Sequence, residues 1–262
     1  MIHPYKDGYS VLPKLLPLNG SPFSPQSIKF YEQKSYAVER QKCYVECDLD
    51  PICEDAVCEY IRAEMKIKGN LQELAMQLNE DIVIHCLDEK RDWMAAGHVC
   101  FPSGWLPEEK VGKSFQEIHA DIPGMRLENS RKLVEAMINS SPYERYVWGV
   151  YFEERINGHP YWPKKRFDIH NPQVFIRWER QSIIGFPAHS AALFVIGQNL
   201  IPETQIDILP LMTALSRMTT EQRVYKGINE DFDDLMRYLQ TKLSHPAALA
   251  WESLQRQETV VQ

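Results

Sequence analysis

Apolar residues recur at helical spacing in some stretches of this chain and cluster at strand spacing in others, and the contrast predicts the order of its elements. Leu71, Leu74, Ala75 and Leu78 mark one buried helical stripe. Cys58, Ile61 and Met65 mark another, on a helix running roughly from Asp55 to Lys68 with Asp55 as its candidate cap, and Gly69-Asn70 separates the two. Near the end, Phe232, Leu235, Met236, Leu239 and Leu243 repeat as i, i+3, i+4, i+7, i+11, a core-facing stripe that Pro246 is expected to end. Between these, Tyr146–Arg155, Val174–Ile184 and Ala191–Leu200 are rich in Val, Ile, Phe, Tyr and Trp and are bounded by Pro or Gly, so they read as consecutive antiparallel strands. Asp81–Leu87 is too short for periodicity to choose between strand and helix.

The remaining segments organise around that frame. Pro4, Pro13, Pro17, Pro22 and Pro25 break the first stretch, which predicts an extended arm over residues 1–27 lying on the body of the protein. A single domain over 1–262 follows, with a helical part at 28–97, a strand-rich core at 98–202, a helical part at 203–255 and a polar tail from Arg256 to Gln262. The class is α+β: an antiparallel sheet with flanking helices and with N- and C-terminal helical extensions. The long loop INGHPYWPKKRFDIHNP, residues 156–172, carries three prolines and is expected to cover a pocket, since loops of this length inside a compact domain are usually functional or disordered.

Composition then narrows the partners. With 262 residues, 44% of them hydrophobic, the chain can bury a sizeable core. A net charge of −7 and the lack of any Lys/Arg-rich run argue against nucleic acid or an anionic membrane as partner. No apolar run is long enough to span a bilayer and Met1–Gly20 has no signal-peptide core, so a soluble, cytoplasmic protein is expected. Four of the six cysteines, Cys43, Cys47, Cys53 and Cys58, crowd together without C-x2-C spacing, which favours reduced thiols over zinc, iron-sulfur or disulfide chemistry. The hydrolase elbow, H-E-x-x-H, P-loop and G-x-G-x-x-G motifs are all missing, as is the C-x-x-C-H of covalently attached heme.

Candidate chemistry concentrates in FPSGWLPEEKVGKSFQEIHADIPG, residues 101–124. Pro107 suits the first position of a short helix, Glu108 and Glu109 complement its dipole, and Val111, Phe115 and Ile118 fall on one face. His119 flanks that face four residues after Phe115, where an imidazole can enter an apolar pocket as the axial ligand of a flat cofactor, or serve as an ordinary core or capping histidine. On the strand Val174–Ile184, Arg177, Glu179 and Gln181 share one face while Trp178 and Arg180 share the other. A guanidinium there either forms an internal salt bridge or grips an acidic group of a ligand. Lys110 and Lys226 are solvated lysines or pocket cations, and Gly227 permits a turn that brings Tyr225 or Lys226 over a pocket. His3, His85, His98, His159, His170, His189 and His245 compete with His119; His98, His159 and His170 are the ones positioned to line the far side of a pocket.

Taken in order, NEDIVIHCL (79–87), FPSGW-x3-EK-x-G-x5-IH (101–119), R-x-ERQ (177–181) and YKG (225–227) resemble the heme-dependent oxidative N-demethylase alpha-subunit family over most of the chain. The resemblance implies a PAS-like fold holding heme b between the sheet and the helix that bears His119, with His119 on the iron. It also implies Arg177 or Arg180 on a propionate, Trp105 and Lys110 as further cofactor-binding residues, and Tyr225 and Lys226 as catalytic candidates. The reaction it implies is oxygen-dependent demethylation of a small amine, with release of an aldehyde. Because the chain carries no flavin, nicotinamide or iron-sulfur motif, electrons would come from a separate reductase or ferredoxin. The chain departs from the family at Ile196-Gly197, where an arginine commonly follows the isoleucine. A gas sensor or interaction module of PAS type, and a heme-free scaffold with a structural His119, are the competing expectations.

Overall fold

The computed structural model describes residues 2–11, 14–125, 127–140 and 142–260, with side chains up to Arg256. After a short 3-10 turn at Pro4–Asp7, the chain forms β1 (Leu16–Pro17), α1 (Ile28–Val38), β2 (Tyr44–Glu46), α2 (Pro51–Met65), α3 (Leu71–Gln77), β3 (Asp81–Leu87) and β4 (Asp92–His98). Three short or medium helices follow, α4 (Pro107–Lys110), α5 (Phe115–Ile118) and α6 (Ser130–Asn139), and then the long strands β5 (Tyr143–Tyr151), β6 (Phe175–Phe186) and β7 (Ala191–Pro202). The chain closes with α7 (Ile208–Ser216), α8 (Thr220–Lys226), α9 (Phe232–Thr241) and α10 (His245–Val260). The strands make one seven-stranded sheet in the order β1-β5-β6-β7-β3-β4-β2, and every pair is antiparallel.

This is the expected α+β class, with instructive differences of detail. Asp81–Leu87 is a strand because it sits between two partners, β4 and β7, and buries both of its faces. Three strands therefore interrupt the 28–97 stretch read as helical, and α4 to α6 lie inside the stretch read as strand-rich. The cap of α2 is Asp50, whose carboxylate accepts from the N–H groups of Ile52 and Cys53 with Pro51 in the first turn; the helix starts four residues before the expected cap, Asp55. Pro246 does not end the Phe232 stripe; α9 stops at Thr241 and Pro246 sits in the first turn of α10. The tail expected from Arg256 continues α10 to Val260, and Val261 and Gln262 lie outside the described residues, as does Pro13 of the arm.

The arm is held by specific contacts. Leu16 and Pro17 pair with Glu144 and Tyr143 of β5, and Tyr5 is fully buried against Trp148, its hydroxyl accepting from the Asp207 N–H. One sheet face is largely apolar: Ile82, Ile84, Leu193 and Val195 pack on Val57, Ile61, Leu71 and Leu74 of α2 and α3, and Val150, Ile176 and Ile201 pack on Leu211, Leu215, Leu235 and Leu239 of α7 and α9. Each fully buried aliphatic side chain contributes roughly 1.5–3 kcal/mol, so this face supplies the bulk of the stability. The other face is covered by α6 only at one end, where Val134, Met137 and Ile138 meet Ile183 and Phe194. Beyond α6 that face is polar and borders a cavity.

The N-cap assignment is directly testable. Asp50→Ala should lower unfolding free energy by about 1 kcal/mol through loss of the cap, while Asp55→Ala on the exposed surface should change it by less than about 0.5 kcal/mol. Urea denaturation of both variants checks this, and equal losses would return the cap to Asp55.

Candidate functional site

The cavity, about 450 Å³, lies between the polar sheet face and the cover made by α4, α5 and the segment 119–125. Alternation delivers its floor. Asp81, Val83 and His85 come from β3, Arg145 and Val147 from β5, Arg177, Glu179 and Gln181 from β6, and Phe194, Ile196 and Gln198 from β7. Its rim draws on distant parts of the chain: Tyr9 from the arm, Lys164 from the 156–172 loop, and Tyr225 and Lys226 from the end of α8. Gly227, in the left-handed region at φ 70°, closes α8 as its C-cap and lets the chain turn away just after Lys226.

His119 enters this space differently from the helical face expected. The segment from Pro107 is not one helix, because Gly112 at φ +79° breaks it and α5 restarts with a capping box of Ser114 and Glu117. His119 is the C-cap of α5, stacked on Phe115 with ring centroids 4.1 Å apart. Its Nδ1 donates to the Phe115 carbonyl at 2.7 Å, which fixes the tautomer and leaves Nε2 unprotonated, without a hydrogen-bond partner among the described residues, in a residue that lines the cavity. Burial, opposed by the Phe115 bond and reinforced by the charge of Arg145, lowers its pKa to about 4, so the imidazole is a neutral donor at neutral pH.

Phe115 is itself pinned from below. Asp92 accepts from the Phe115 N–H at 2.7 Å and from His85 Nε2 at 2.7 Å, and His85 meets the Phe115 ring edge-on. Burial alone would raise the Asp92 pKa, but these two bonds hold it below the usual carboxylate range. Lys110 ties the two short helices together, Nζ donating to the Ile118 carbonyl at 2.9 Å with Asp121 at 3.8 Å. Trp105 lines the cavity from the preceding loop, which is fastened to the 156–172 loop by the Ser103–Gly158 bridge and by the Gly104 N–H to Gly158 carbonyl bond at 2.8 Å. That loop does border the pocket, through Lys164.

Arg177 and Arg180 part company. Arg177 is buried on the cavity face, where Nε donates to the Ile156 carbonyl, one terminal nitrogen to Glu179 at 2.6 Å and the other to the Phe101 carbonyl at 2.8 Å. Burial would raise the Glu179 pKa, yet Arg177 and Gln181 bring it below its ordinary value. Arg180, expected as a cofactor-binding residue, is instead turned by alternation to the opposite face, where it meets Glu144 at 2.7 Å and the carbonyls of Asn19 and Ser21, and it does not line the cavity. It is an internal salt bridge that fastens the arm.

Lys226 is half-buried at the rim of the cavity. Burial lowers its pKa to about 8 against the pull of Glu179, and the nitrogen lies 5.5 Å from the Tyr9 ring and 5.4 Å from the Tyr225 ring. Asp81, fully buried, is raised to about 6 by desolvation although Lys34 and the N–H groups of Cys100 and Phe101 oppose the shift.

The structure thus brings Trp105, Lys110, His119, Arg177, Tyr225 and Lys226 to one cavity. Of the histidines expected on its far side, His98, His159 and His170 do not line it; His98 faces Cys100, and His159 and His170 stay within the loop. His85 lines it instead, and the signal was a histidine in an otherwise apolar strand with an aspartate across a tight hairpin. Arg145 is another residue that sequence reasoning misses: the apolar and aromatic run starts the strand at Tyr146, whereas β5 begins three residues earlier at Tyr143.

Residues 33–236, which hold nearly all of these side chains, match the family described as haem-dependent oxidative N-demethylase, alpha subunit-like. The chain belongs to this family. The family name carries haem dependence and oxidative chemistry at the level of the family, and the matched span includes α4, α5, α8 and every strand of the sheet but β1, so the cavity lies within the matched span except for the arm. Among curated proteins none matches the chain. Among the described residues, no helix is long and apolar enough to cross a membrane.

The state of His119 gives a measurable outcome. In heme-free protein the imidazole should remain the Nδ1–H tautomer down to about pH 5 and titrate near 4. Since an unfolded histidine titrates near 6.5, stability supplied by the neutral imidazole is full above that value and is lost as pH falls toward 4, by up to about 1.4 kcal/mol per pH unit. Imidazole nitrogen chemical shifts followed against pH check it, and a midpoint above 6 contradicts it.

Proposed function

We propose that this chain binds heme b in the cavity through His119 and oxidises the N-methyl carbon of a small amine, with electrons from a separate reductase or ferredoxin. The observation that carries the proposal is the His119 geometry: a neutral imidazole whose Nδ1–H is committed to a backbone carbonyl, with Nε2 free in a residue lining a large cavity. A single imidazole suits a macrocycle, which brings its other four nitrogen donors with it; among the described residues no group of three or more His, Cys, Asp or Glu is arranged to hold a bare ion. The cavity wall fits such a group in chemistry as well. Val83, Met94, Phe194 and Ile196 offer apolar contact, while Lys226 and Lys164 offer cations for acidic substituents and Trp105 a flat aromatic wall.

Heme held there by His119 would supply dioxygen activation for a monooxygenation at the carbon beside nitrogen, a reaction that consumes two electrons and two protons and forms one water. The resulting carbinolamine breaks its C–N bond, the hydroxyl proton moves to nitrogen, and amine and formaldehyde leave. The protein's own part is to bind, orient and move protons. Lys226, with a pKa near 8 in a low-dielectric setting, can hold or give up a proton at neutral pH, and Tyr225 beside it offers a hydroxyl at the rim. Lys110 would hold His119 in place by joining the two short helices.

Protein produced with a heme precursor should show an intense Soret band, and His119→Ala should lose or shift it. With a surrogate ferredoxin and its reductase, secondary or tertiary methylamines should raise oxygen-dependent NADPH use and yield formaldehyde in proportion, and the variant should yield none. A colourless wild type that hemin cannot reconstitute rejects the heme site. A coloured protein that binds carbon monoxide reversibly but leaves a wide amine panel untouched favours a gas-binding module.

A further inference from the structure

Arg145 is a buried guanidinium in the cavity with no carboxylate of its own among the described residues. It is 8% exposed, on the cavity face of β5, directly across the ladder from Gln181. Its Nε donates to Gln181 Oε1 at 2.7 Å, and no hydrogen bond or carboxylate among the described residues reaches its two terminal nitrogens. The nearest acid is already spent: Glu179 takes Arg177 on one oxygen at 2.6 Å and the Gln181 amide on the other at 2.8 Å. Arg145, Gln181, Glu179 and Arg177 therefore form a chain in which two guanidinium groups share a single carboxylate. Burial lowers the Arg145 pKa only to about 10, so the group stays cationic at neutral pH.

Burying a charge without a partner costs several kcal/mol, and such a site is retained only when something outside the fold compensates it. The anchoring is on the wrong atom for a structural role. Gln181 fixes Nε and so orients the guanidinium plane, while the two terminal N–H2 groups, the pair that makes bidentate bonds to a carboxylate, are left open. The charge is also close enough to disfavour protonation of His119, which sets the two residues toward the same part of the cavity.

We propose that Arg145, oriented by Gln181, is the seat for a carboxylate carried by the ligand of this cavity. The inference rests on the cavity being a ligand site, and the carboxylate has two sources: a propionate of heme, or an acid group on the amine substrate, as in an N-methylated amino acid. Arg180, expected for such a role, is on the other face, and Arg177 is already neutralised by Glu179.

The test uses the full chain and the variants Arg145→Met, which keeps length and removes charge, and Arg145→Lys, which keeps charge and loses the fork. Heme-free Arg145→Met should melt no lower than wild type, and up to about 2–4 °C higher for each kcal/mol of relieved desolvation. Sodium propionate, compared with sodium chloride at equal ionic strength, should raise the melting temperature of heme-free wild type and not of Arg145→Met. A propionate seat predicts that the Met variant binds hemin about tenfold to a hundredfold more weakly but binds hemin dimethyl ester as wild type does, with the Lys variant between. A substrate seat predicts unchanged hemin binding and a similar loss in the spectral titration of the heme-loaded protein with N-methylglycine, dimethylamine being unaffected. A heme-free Met variant that melts well below wild type, or one that keeps the wild-type response to propionate, hemin and N-methylglycine, overturns the inference and leaves the His119 site standing. If wild type takes up no hemin, the propionate arm alone decides the seat.

Discussion

Burial of the Asp81 carboxylate constrains everything around the cavity. A carboxylate with no exposed surface at the start of a central strand must be met by donors from every side. It is met by the Cys100 and Phe101 N–H groups at 2.8 Å, by Gln198 at 3.0 Å from the neighbouring strand, and by Lys34 of α1 at 3.9 Å. Lys34 in turn gives its remaining hydrogens to the carbonyls of Ala75 and Glu80. One side chain thus fixes where α1 docks, how β7 lies against β3, and above all the direction in which the chain leaves β4. That departure launches Phe101 to Trp105 over the open sheet face, and α4, α5 and His119 follow from it.

A second layer of constraint repeats the logic farther along. Asp92 begins β4 as Asp81 begins β3, and its carboxylate reaches across to the first N–H of α5 and to His85. The cover of the cavity is consequently pinned at both ends of β4, by backbone N–H groups that donate to the two carboxylates. Phe115 is clamped between the two histidine rings, which converts a four-residue helix, too short to be stable by itself, into a rigid bracket for the imidazole.

Legibility in the sequence tracked how much a residue's role depended on its own neighbours in the chain. The strands β5 to β7 were visible because β-branched and aromatic residues crowd there, and α3 because its stripe follows Asn70. The break at Gly112 was not, because the apolar spacing of Val111, Phe115 and Ile118 runs straight through it; only the positive φ demanded by the turn beneath Cys47 separates the helices. Helix α6 went unread although Val134, Met137 and Ile138 carry its face. The cavity cations were the hardest. Nothing local distinguishes Arg145 from Arg180, since each faces one side of a strand with mixed faces, and their opposite fates are decided by Gln181 in one case and Glu144 in the other.

The rim draws together the two extremities of the fold. Lys226 at the end of α8 sits over the ring of Tyr9 in the arm, while Lys164 donates to the Lys226 carbonyl at 3.4 Å. Tyr9 also meets Trp148 of the apolar core edge-on, and Tyr5 is buried in that core, so the arm itself stays anchored. Opening the rim therefore asks for movement of the Lys226 and Lys164 side chains, at a small fraction of the free energy of global unfolding. Access to the cavity becomes in this way a property of a few aromatic and cationic contacts at its doorway, separate from the packing that holds the sheet and its helices together.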